Sequence, residues 1–203
     1  MAQLRLVKPA AVPRVVTHVN RMGDTYFLHE GKTKTGKPRY FFAKSVRDGA
    51  LAEMPPGLEV SESINGVVSV RRITAGAVAV PESDVKLVEA AVARHEHLAG
   101  YLVRVVGSAM VDFEPHPRPA ELRDIAERLG RVHRAASFIE ERMKKAQYAP
   151  VLKFEREGDV YVVHRMTYRG EGGWSWPLMD GKLAALAKKV VSSIGTDAFY
   201  ELV

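Results

Sequence analysis

Short stretches in which apolar and polar residues alternate predict four β-hairpins along the chain. The predicted strand pairs are Thr25–His29 with Arg39–Ala43, Leu58–Ser63 with Val67–Arg71, Tyr101–Val106 with Ala109–Phe113, and Val151–Arg156 with Val160–Arg169. Asn65-Gly66 joins the second pair, and both of these residues tolerate the positive φ of a type I′ turn. We therefore expect residues 22–73 to form a small antiparallel sheet of about four strands.

Apolar residues spaced three and four apart predict three helices between and after these hairpins. The predicted helices run from about Glu82 to Leu98, from about Ala120 to Gln147, and from a cap at Asp180 to Ile194. The apolar stripe of the longest helix contains Leu122, Ile125, Leu129, Val132, Ala136, Ile139 and Met143. Gly130 is the position at which this helix is expected to break or kink.

The order ββαββαββα predicts an α+β fold, with antiparallel hairpins and about three helices packed on them. A single continuous sheet is the alternative arrangement. The hairpin that ends by Arg72 and the low-propensity run at 74–80 indicate a boundary between two modules. The predicted organisation is a flexible lead-in over residues 1–21, a small β-rich basic module over 22–74, and an α+β module over 75–203.

The positive charge of the chain is concentrated near its start. Residues 1–47 hold ten basic and two acidic side chains, a net charge of +8. Residues 48–203 hold twenty basic and twenty-two acidic side chains, a net charge of −2. Such an asymmetry indicates a surface in the N-terminal quarter that meets an anionic partner.

The composition narrows the class of protein. With 46% hydrophobic and 27% charged residues among 203, the chain is typical of soluble globular proteins. Cysteine is absent, which excludes disulfides, thiolate metal sites and cysteine nucleophiles and favours a reducing compartment. No apolar run approaches the roughly 20 residues that span a bilayer, and the charged, proline-interrupted start does not resemble a secretory signal. We expect a cytoplasmic protein without a membrane partner.

The first predicted hairpin carries most of this positive charge. From Lys32 to Arg47 there are six basic residues and no acidic one. Clustered Lys and Arg bind nucleic acid because they neutralise phosphates and release counterions, and a neighbouring aromatic ring can stack on a base. The predicted nucleic-acid-binding residues are Lys32, Lys34, Lys37, Arg39, Lys44, Arg47 and Tyr40.

The same segment approaches a nucleotide-binding P-loop but departs from it where the chemistry matters. Gly31 and Gly36-Lys37 keep the spacing, whereas Pro38 stands where Ser or Thr would ligate magnesium. Pro38 also removes a backbone donor from the phosphate cradle. Zinc-protease spacing fails too, because Thr33 and Ala99 stand where the second histidine is required. The sequence therefore predicts no catalytic residue, no metal ligand and no cofactor.

Paired acidic and imidazole side chains elsewhere have a structural and a functional interpretation. The pairs are Asp112 with Glu114, Glu155 with Glu157, and His95 with His97. Each acidic pair shares one face of a predicted strand and could bind a metal, but solvated charge is the favoured interpretation. The two histidines point to different faces of a helix, which favours a core-edge position for His95.

Strand alternation after Val160 predicts a core face that contains Val162 and His164, and a mixed face that contains Tyr161 and Arg165. The mixed face could meet a ligand. In the glycine-rich loop that follows, one or both of Trp174 and Trp176 are expected to close the core rather than to stack on a base or a sugar.

Three segments resemble a family of bacterial proteins with no assigned function. They are YFLHEGKTKTGKPRYFF at Tyr26–Phe42, the Trp174-Ser-Trp-Pro-Leu region, and the ending from Ile194 to Leu202. The resemblance covers most of the chain. It implies a bacterial, cytoplasmic protein and brings with it no activity, cofactor or site residue.

Two functions from different classes fit the sequence. The first is a non-enzymatic nucleic-acid-binding protein that contacts phosphates through the basic hairpin loop, with DNA and RNA both open. The second is a protein-interaction or scaffolding module, in which the loop meets an acidic partner surface and a sheet edge pairs with a partner strand. An enzyme is the third. It requires residues such as Glu155, Glu157, His164 and Arg165 to converge in a closed pocket.

Overall fold

The computed structural model describes residues 14–73, 80–167 and 171–202. The chain divides into two compact units after Ile73. In the described residues, every strand pair is antiparallel and helices occur together with sheets, so the predicted α+β class is confirmed. Most of the predicted lead-in, residues 1–13, lies outside the described residues, and so does most of the low-propensity run between the two modules, residues 74–79.

The described part of the N-terminal unit consists of two small sheets. Its strands are β1 (Thr17–Val19), β2 (Thr25–Lys32), β3 (Pro38–Ala43), β4 (Leu58–Glu62) and β5 (Val68–Arg72). Strands β1, β2 and β3 form one sheet in that order, while β4 and β5 form another. Both predicted hairpins are confirmed, but the single four-stranded sheet is wrong. The predicted lead-in also contains a strand, because β1 pairs with β2.

The buried side chain of Asn20 joins the two sheets of this unit. Its Nδ2 donates to the carbonyl of Gly66 at 2.8 Å, and its Oδ1 accepts from the backbone N–H groups of Met22 at 3.1 Å and Asp24 at 2.8 Å. Gly66 has a φ of +71°, and a Cβ at that position would lie 2.9 Å from Asn20 Nδ2. The Asn65-Gly66 turn therefore requires its glycine for conformation and for space.

The second unit is built on one antiparallel sheet. Its described strands are β6 (Leu102–Val106), β7 (Ala109–His116), β8 (Gln147–Glu157), β9 (Val160–Arg165) and β10 (Met179–Gly181), in the spatial order β10-β9-β8-β7-β6. Its described helices are α1 (Glu82–Ala93), α2 (Pro119–Arg128), α3 (Ala135–Lys144), α4 (Leu183–Val190) and α5 (Ala198–Glu201). Short 3₁₀ turns cover Glu96–Leu98, Val132–Arg134, Glu171–Gly173 and Val191–Ser193.

Helices α1 and α4 supply much of the core of this unit. Val88 and Val92 lie one turn apart on α1, and Leu186 and Val190 lie one turn apart on α4. All four side chains are buried in the same apolar cluster as Phe154 of β8. The helical spacing that predicted these two elements therefore marks their buried faces correctly.

The long helix predicted over Ala120–Gln147 is wrong as a single element. The structure divides it into α2 and α3, with a 3₁₀ turn between them. Gly130 follows the end of α2 with a φ of +65°. A left-handed residue ends an α-helix, and glycine adopts that conformation without the clash that a Cβ would introduce. The break is therefore at the residue at which the sequence indicates a break or kink.

The apolar stripe predicted for that helix is only partly buried. Of its members, Leu122 lies in the interior, whereas Ile125, Leu129 and Val132 are 41%, 58% and 59% exposed. Helical spacing identifies residues that share a face. It does not establish that a partner covers the face, and among the described residues much of this stripe remains exposed.

Other element boundaries and faces also differ from prediction. Asp180 does not cap a helix, because it lies in β10 opposite Val162. The first helix stops at Ala93, five residues before its predicted end. On β9 the core cluster contains Tyr161 and Val163, so the face predicted as mixed is the buried one. Since Val162 is also buried, alternation alone could not select the core side of this strand.

Asp112 is a charged residue type inside the core of the second unit. It lies on β7 between Val103 of β6 and Leu152 of β8, and its side chain is fully buried. Neither carboxylate oxygen has a hydrogen-bond partner among the described residues. Burial therefore raises the pKa of Asp112 to about 8, because an apolar environment disfavours the ionised form.

We predict that this carboxyl makes the fold less stable as pH rises. Between the unfolded pKa near 4 and the folded pKa of about 8, the folded state binds a proton that the unfolded state has lost. Stability is therefore greatest at the acidic end of that window and declines toward pH 8. The free energy of unfolding of the wild type should fall by roughly 4–6 kcal/mol across this window, and that of the Asp112→Asn variant should not show this fall.

Urea unfolding at several pH values measures this difference. Asp124→Asn is the matched control, because Asp124 is an exposed aspartate of α2 and should reproduce the wild-type profile. Equal pH profiles for the wild type and the Asp112 variant would contradict the assignment of a neutral buried carboxyl.

Candidate nucleic-acid interface

The tip of the β2–β3 hairpin is held in a defined conformation by its own hydrogen bonds. The backbone N–H of Thr33 donates to the carbonyl of Lys37 at 2.8 Å, and that of Gly36 donates to the carbonyl of Thr33 at 2.9 Å. The Thr33 hydroxyl accepts the N–H of Lys37 at 3.1 Å. Gly36 supplies the positive φ, +78°, that the turn requires. The basic loop is therefore an ordered turn that presents its side chains outward.

Four of the predicted cations lie at this tip. Lys32 is the last residue of β2, Lys34 and Lys37 lie in the turn, and Arg39 follows the first residue of β3. All four are exposed. No salt bridge in the described part of the chain involves any of them. Their charge is therefore available to an external anion. We call Lys32, Lys34, Lys37 and Arg39 the tip cluster.

The two flanking cations have different environments. Lys44 Nζ lies 2.8 Å from Asp24 Oδ2 and 5.7 Å from the centre of the Tyr26 ring. The hydrogen bond to Asp24 raises the pKa of Lys44 and compensates its charge. The Arg47 side chain is exposed and donates to the Ser45 hydroxyl at 3.2 Å. The charge of Arg47 is thus available beside the tip cluster, whereas the charge of Lys44 is compensated by Asp24.

The aromatic candidate Tyr40 and the tip-cluster residue Arg39 lie on opposite faces of the hairpin. Tyr40 lies opposite Glu30 in the β2–β3 ladder, and Arg39 lies opposite Gly31 on the other face. Arg39 also lies over the Phe41 ring, with its guanidinium 5.9 Å from the ring centre. Tyr40 is half-buried and has a carboxylate-bearing neighbour directly across the ladder. Tyr40 is therefore a weaker candidate for contact with a base than the tip cluster is for contact with phosphate.

His29 fixes the segment that follows the hairpin. It is fully buried, its Nδ1–H donates to the carbonyl of Phe27 at 2.8 Å, and its Nε2 accepts the backbone N–H of Arg47 at 3.0 Å. The ring stacks on Phe41 at 5.5 Å between centres. Gly49 lies so close to the Glu30 carbonyl that a Cβ would be 2.4 Å from its oxygen. In the sequence, His29 belongs only to an incomplete zinc-protease motif, although a histidine within an aromatic strand indicates a buried polar contact.

The residues proposed for an enzyme site do not all converge. Glu155 Oε2 lies 2.6 Å from Lys153 Nζ and 3.7 Å from His164 Nε2. The hydrogen bond from Lys153 lowers the pKa of Glu155. Arg165 instead donates to the carbonyl of Phe199 and lies 5.7 Å from the centre of that ring. Arg165 therefore anchors the C-terminal helix, and only two of the four proposed residues approach one another.

The tryptophans and the acidic pair of β7 also separate in the structure. Trp174 is half-buried, with Lys153 Nζ 5.4 Å from its ring centre, whereas Trp176 is 90% exposed. Of the two tryptophans, Trp174 therefore remains the one that can close the core, and Trp176 does not. Asp112 is buried, while Glu114 lies 3.8 Å from Arg118. Across residues 14–73, 80–167 and 171–202 there is no group of three or more His, Asp or Glu side chains placed to hold a metal ion.

Comparison with known proteins leaves the function to be argued from these residues. No protein-family model, curated protein or solved structure matches this chain. The part of the chain that the structure describes contains no helix that is long and apolar enough to cross a membrane. The tip cluster is therefore the feature from which a function can be inferred.

We predict that His29 is required for the stability of the segment after β3. In the His29→Phe variant the ring remains, but the Arg47 N–H and the Phe27 carbonyl lose their partner. Loss of these bonds should destabilise the N-terminal unit by about 1–3 kcal/mol. Urea unfolding measures the loss, and amide hydrogen exchange at Arg47 should accelerate. His133→Phe, at an exposed histidine, is the control. Unchanged stability and unchanged exchange at Arg47 would show that the histidine does not hold this segment.

Proposed function

We propose that this protein binds nucleic acid through the tip cluster. The observation that carries the proposal is that Lys32, Lys34, Lys37 and Arg39 are exposed on one hydrogen-bonded turn, with no salt bridge in the described residues. Four like charges held close together repel one another in the free protein. A polyanion removes that repulsion and releases its own counterions when it binds.

The chemistry of the tip cluster favours recognition of the phosphate backbone over recognition of base sequence. Lysine is a flexible point charge, and the aromatic side chains next to the cluster are half-buried. Contacts to phosphates position a protein on nucleic acid without reading its sequence. DNA and RNA are therefore both candidate ligands. Bacterial origin and a cytoplasmic location remain predictions from the sequence.

A protein partner with an acidic surface is the second candidate. The observation that favours it is the position of β3, which has one hydrogen-bonded neighbour, β2, in the described sheet. A partner strand that carries acidic residues could add to this edge while its carboxylates meet the tip cluster. A pull-down after nuclease treatment separates the two functions. Partners that survive the nuclease support the protein interface, and partners that are lost support nucleic acid.

We predict that charge reversal at the tip removes most of the affinity for nucleic acid. The test variant is Lys32→Glu/Lys34→Glu/Lys37→Glu. The matched control is Arg128→Glu/Arg131→Glu/Arg134→Glu, which makes the same change of charge at exposed positions in and after α2. Fluorescence anisotropy with labelled single-stranded and duplex oligonucleotides measures binding at low and at physiological salt.

Four phosphate contacts should reduce the affinity of the wild type on the order of 100-fold for a fourfold rise in salt. The hairpin variant should lose at least about tenfold in affinity at low salt, and its affinity should depend less steeply on salt. The affinity of the α2 variant should change much less. Absence of wild-type binding at low salt, or equal losses in both variants, would contradict the proposal.

A further inference from the structure

A groove in the second unit lies between the 3₁₀ turn Glu96–Leu98 and the start of α2. Its volume is about 540 Å³, and its lining residues are Arg94, His95, Glu96, His97, Ala99, Pro119, Ala120 and Arg123. The two walls of the groove pack closely at Gly100. A Cβ at Gly100 would lie 2.9 Å from Pro119 Cγ and 2.9 Å from Met143 Cε, so these segments pack without spare room.

Basic side chains lie among the apolar residues that line this groove. Arg94 and Arg123 take part in no salt bridge among the described residues, and Glu96 is the carboxylate in the described lining. The rings of His95 and His97 are 5.5 Å apart. His97 Nε2 donates to the carbonyl of Ile194 at 3.1 Å, which orients this ring. Two guanidinium groups and two imidazoles thus surround one open volume, a set of groups that suits a phosphate.

A second cavity adjoins the groove, and we call it the apolar cavity because most of its exposed lining is apolar. Its volume is about 300 Å³, and it shares His95, Glu96 and Ala99 with the groove. Beyond these residues its lining includes the apolar Val92, Leu98, Leu102 and Val103 and the charged Glu89 and Arg104. Ligand sites commonly combine an apolar cleft of this size with a few converging polar groups. The pair of cavities therefore fits a ligand with an anionic head and an apolar or planar body.

We propose that this composite groove binds an organic phosphate monoester. The phosphate lies between Arg94 and Arg123, where His95 donates to one of its oxygens, and the ester group extends past Ala99 into the apolar cavity. This site is separate from the tip cluster and does not depend on nucleic-acid binding there. The phosphate could belong to a free small molecule or to the 5′ end of a nucleic-acid strand, because both present the same chemistry.

Titration of the full-length protein with phenyl phosphate, inorganic phosphate and phenol tests the proposal. Ring-proton NMR signals of His95 and His97 report occupancy, and calorimetry reports affinity. Phenyl phosphate should bind about tenfold or more tightly than inorganic phosphate, because only the ester reaches the apolar cavity. Phenol should not bind measurably. Equal affinity for the ester and for inorganic phosphate, or no change in either ring at millimolar ligand, would overturn the proposal.

Matched variants identify the groove as the site. The Arg94→Gln/Arg123→Gln variant should bind phenyl phosphate and inorganic phosphate about tenfold or more weakly. The Arg128→Gln variant, changed at another exposed arginine of α2, should keep both affinities unchanged. The Ala99→Leu variant should bind phenyl phosphate more weakly and inorganic phosphate with unchanged affinity, because the larger side chain narrows the junction of the two cavities. Thermal unfolding confirms that each variant is folded. Equal effects of Arg128→Gln and the double variant would place the binding elsewhere.

A phosphorylated oligonucleotide distinguishes the two sources of the phosphate. A 5′-phosphorylated strand that displaces phenyl phosphate, when its unphosphorylated counterpart does not, identifies nucleic-acid ends as a ligand. Binding of phenyl phosphate that neither strand displaces identifies a small free ester. Displacement by both strands alike would contradict recognition of a monoester. Charge reversal at the tip cluster should leave the affinity for phenyl phosphate unchanged. The groove and the proposed nucleic-acid interface can therefore be tested independently.

Discussion

The antiparallel pairing of β2 with β3 is the constraint on which the proposed binding surface depends. The ladder runs from Phe27 opposite Ala43 to Lys32 opposite Pro38, so the cations at its end must project around one short turn. Coulomb repulsion opposes such a cluster. The ladder, the Thr33 hydrogen bonds and the buried contacts of His29 hold the turn in spite of that repulsion. The fold therefore keeps like charges close together, and we propose that a phosphate backbone relieves their repulsion.

Charge is distributed differently in the second unit. Several of its exposed cations have acidic partners, as Lys86 has in Glu82 and Lys144 has in Glu140. Such exposed pairs contribute little to stability, but they lower the local excess of positive charge. The groove beside α2 departs from this pattern, because Arg94 and Arg123 have no acidic partner in the described residues. Net charge alone would not locate it, since residues 48–203 carry a net charge of −2.

Hairpins and the α+β class were predictable because local chemistry determines them. Asn65-Gly66 and Gly158-Asp159 lie in turns, and glycine accepts the positive φ that each turn needs. The burial of helix faces and the pairing of charges depend on tertiary packing. Helical spacing could not reveal that Ile125 and Leu129 are exposed, and charge counts could not reveal that Lys44 pairs with Asp24. The groove was beyond prediction because residues 94–99 and Arg123 are distant in sequence and meet only through packing around Gly100.

NMR of the ¹⁵N-labelled full-length protein, titrated with a short single-stranded oligonucleotide, shows whether the tip cluster binds phosphates. We predict that the largest chemical-shift changes occur at the backbone amides of 32–37 and at the Arg39 side chain, and that they diminish when salt is raised. The amides of α2 should change little. Largest changes in α2 with an unperturbed hairpin, or changes that salt does not reduce, would contradict the assignment of the tip cluster as the phosphate-binding surface.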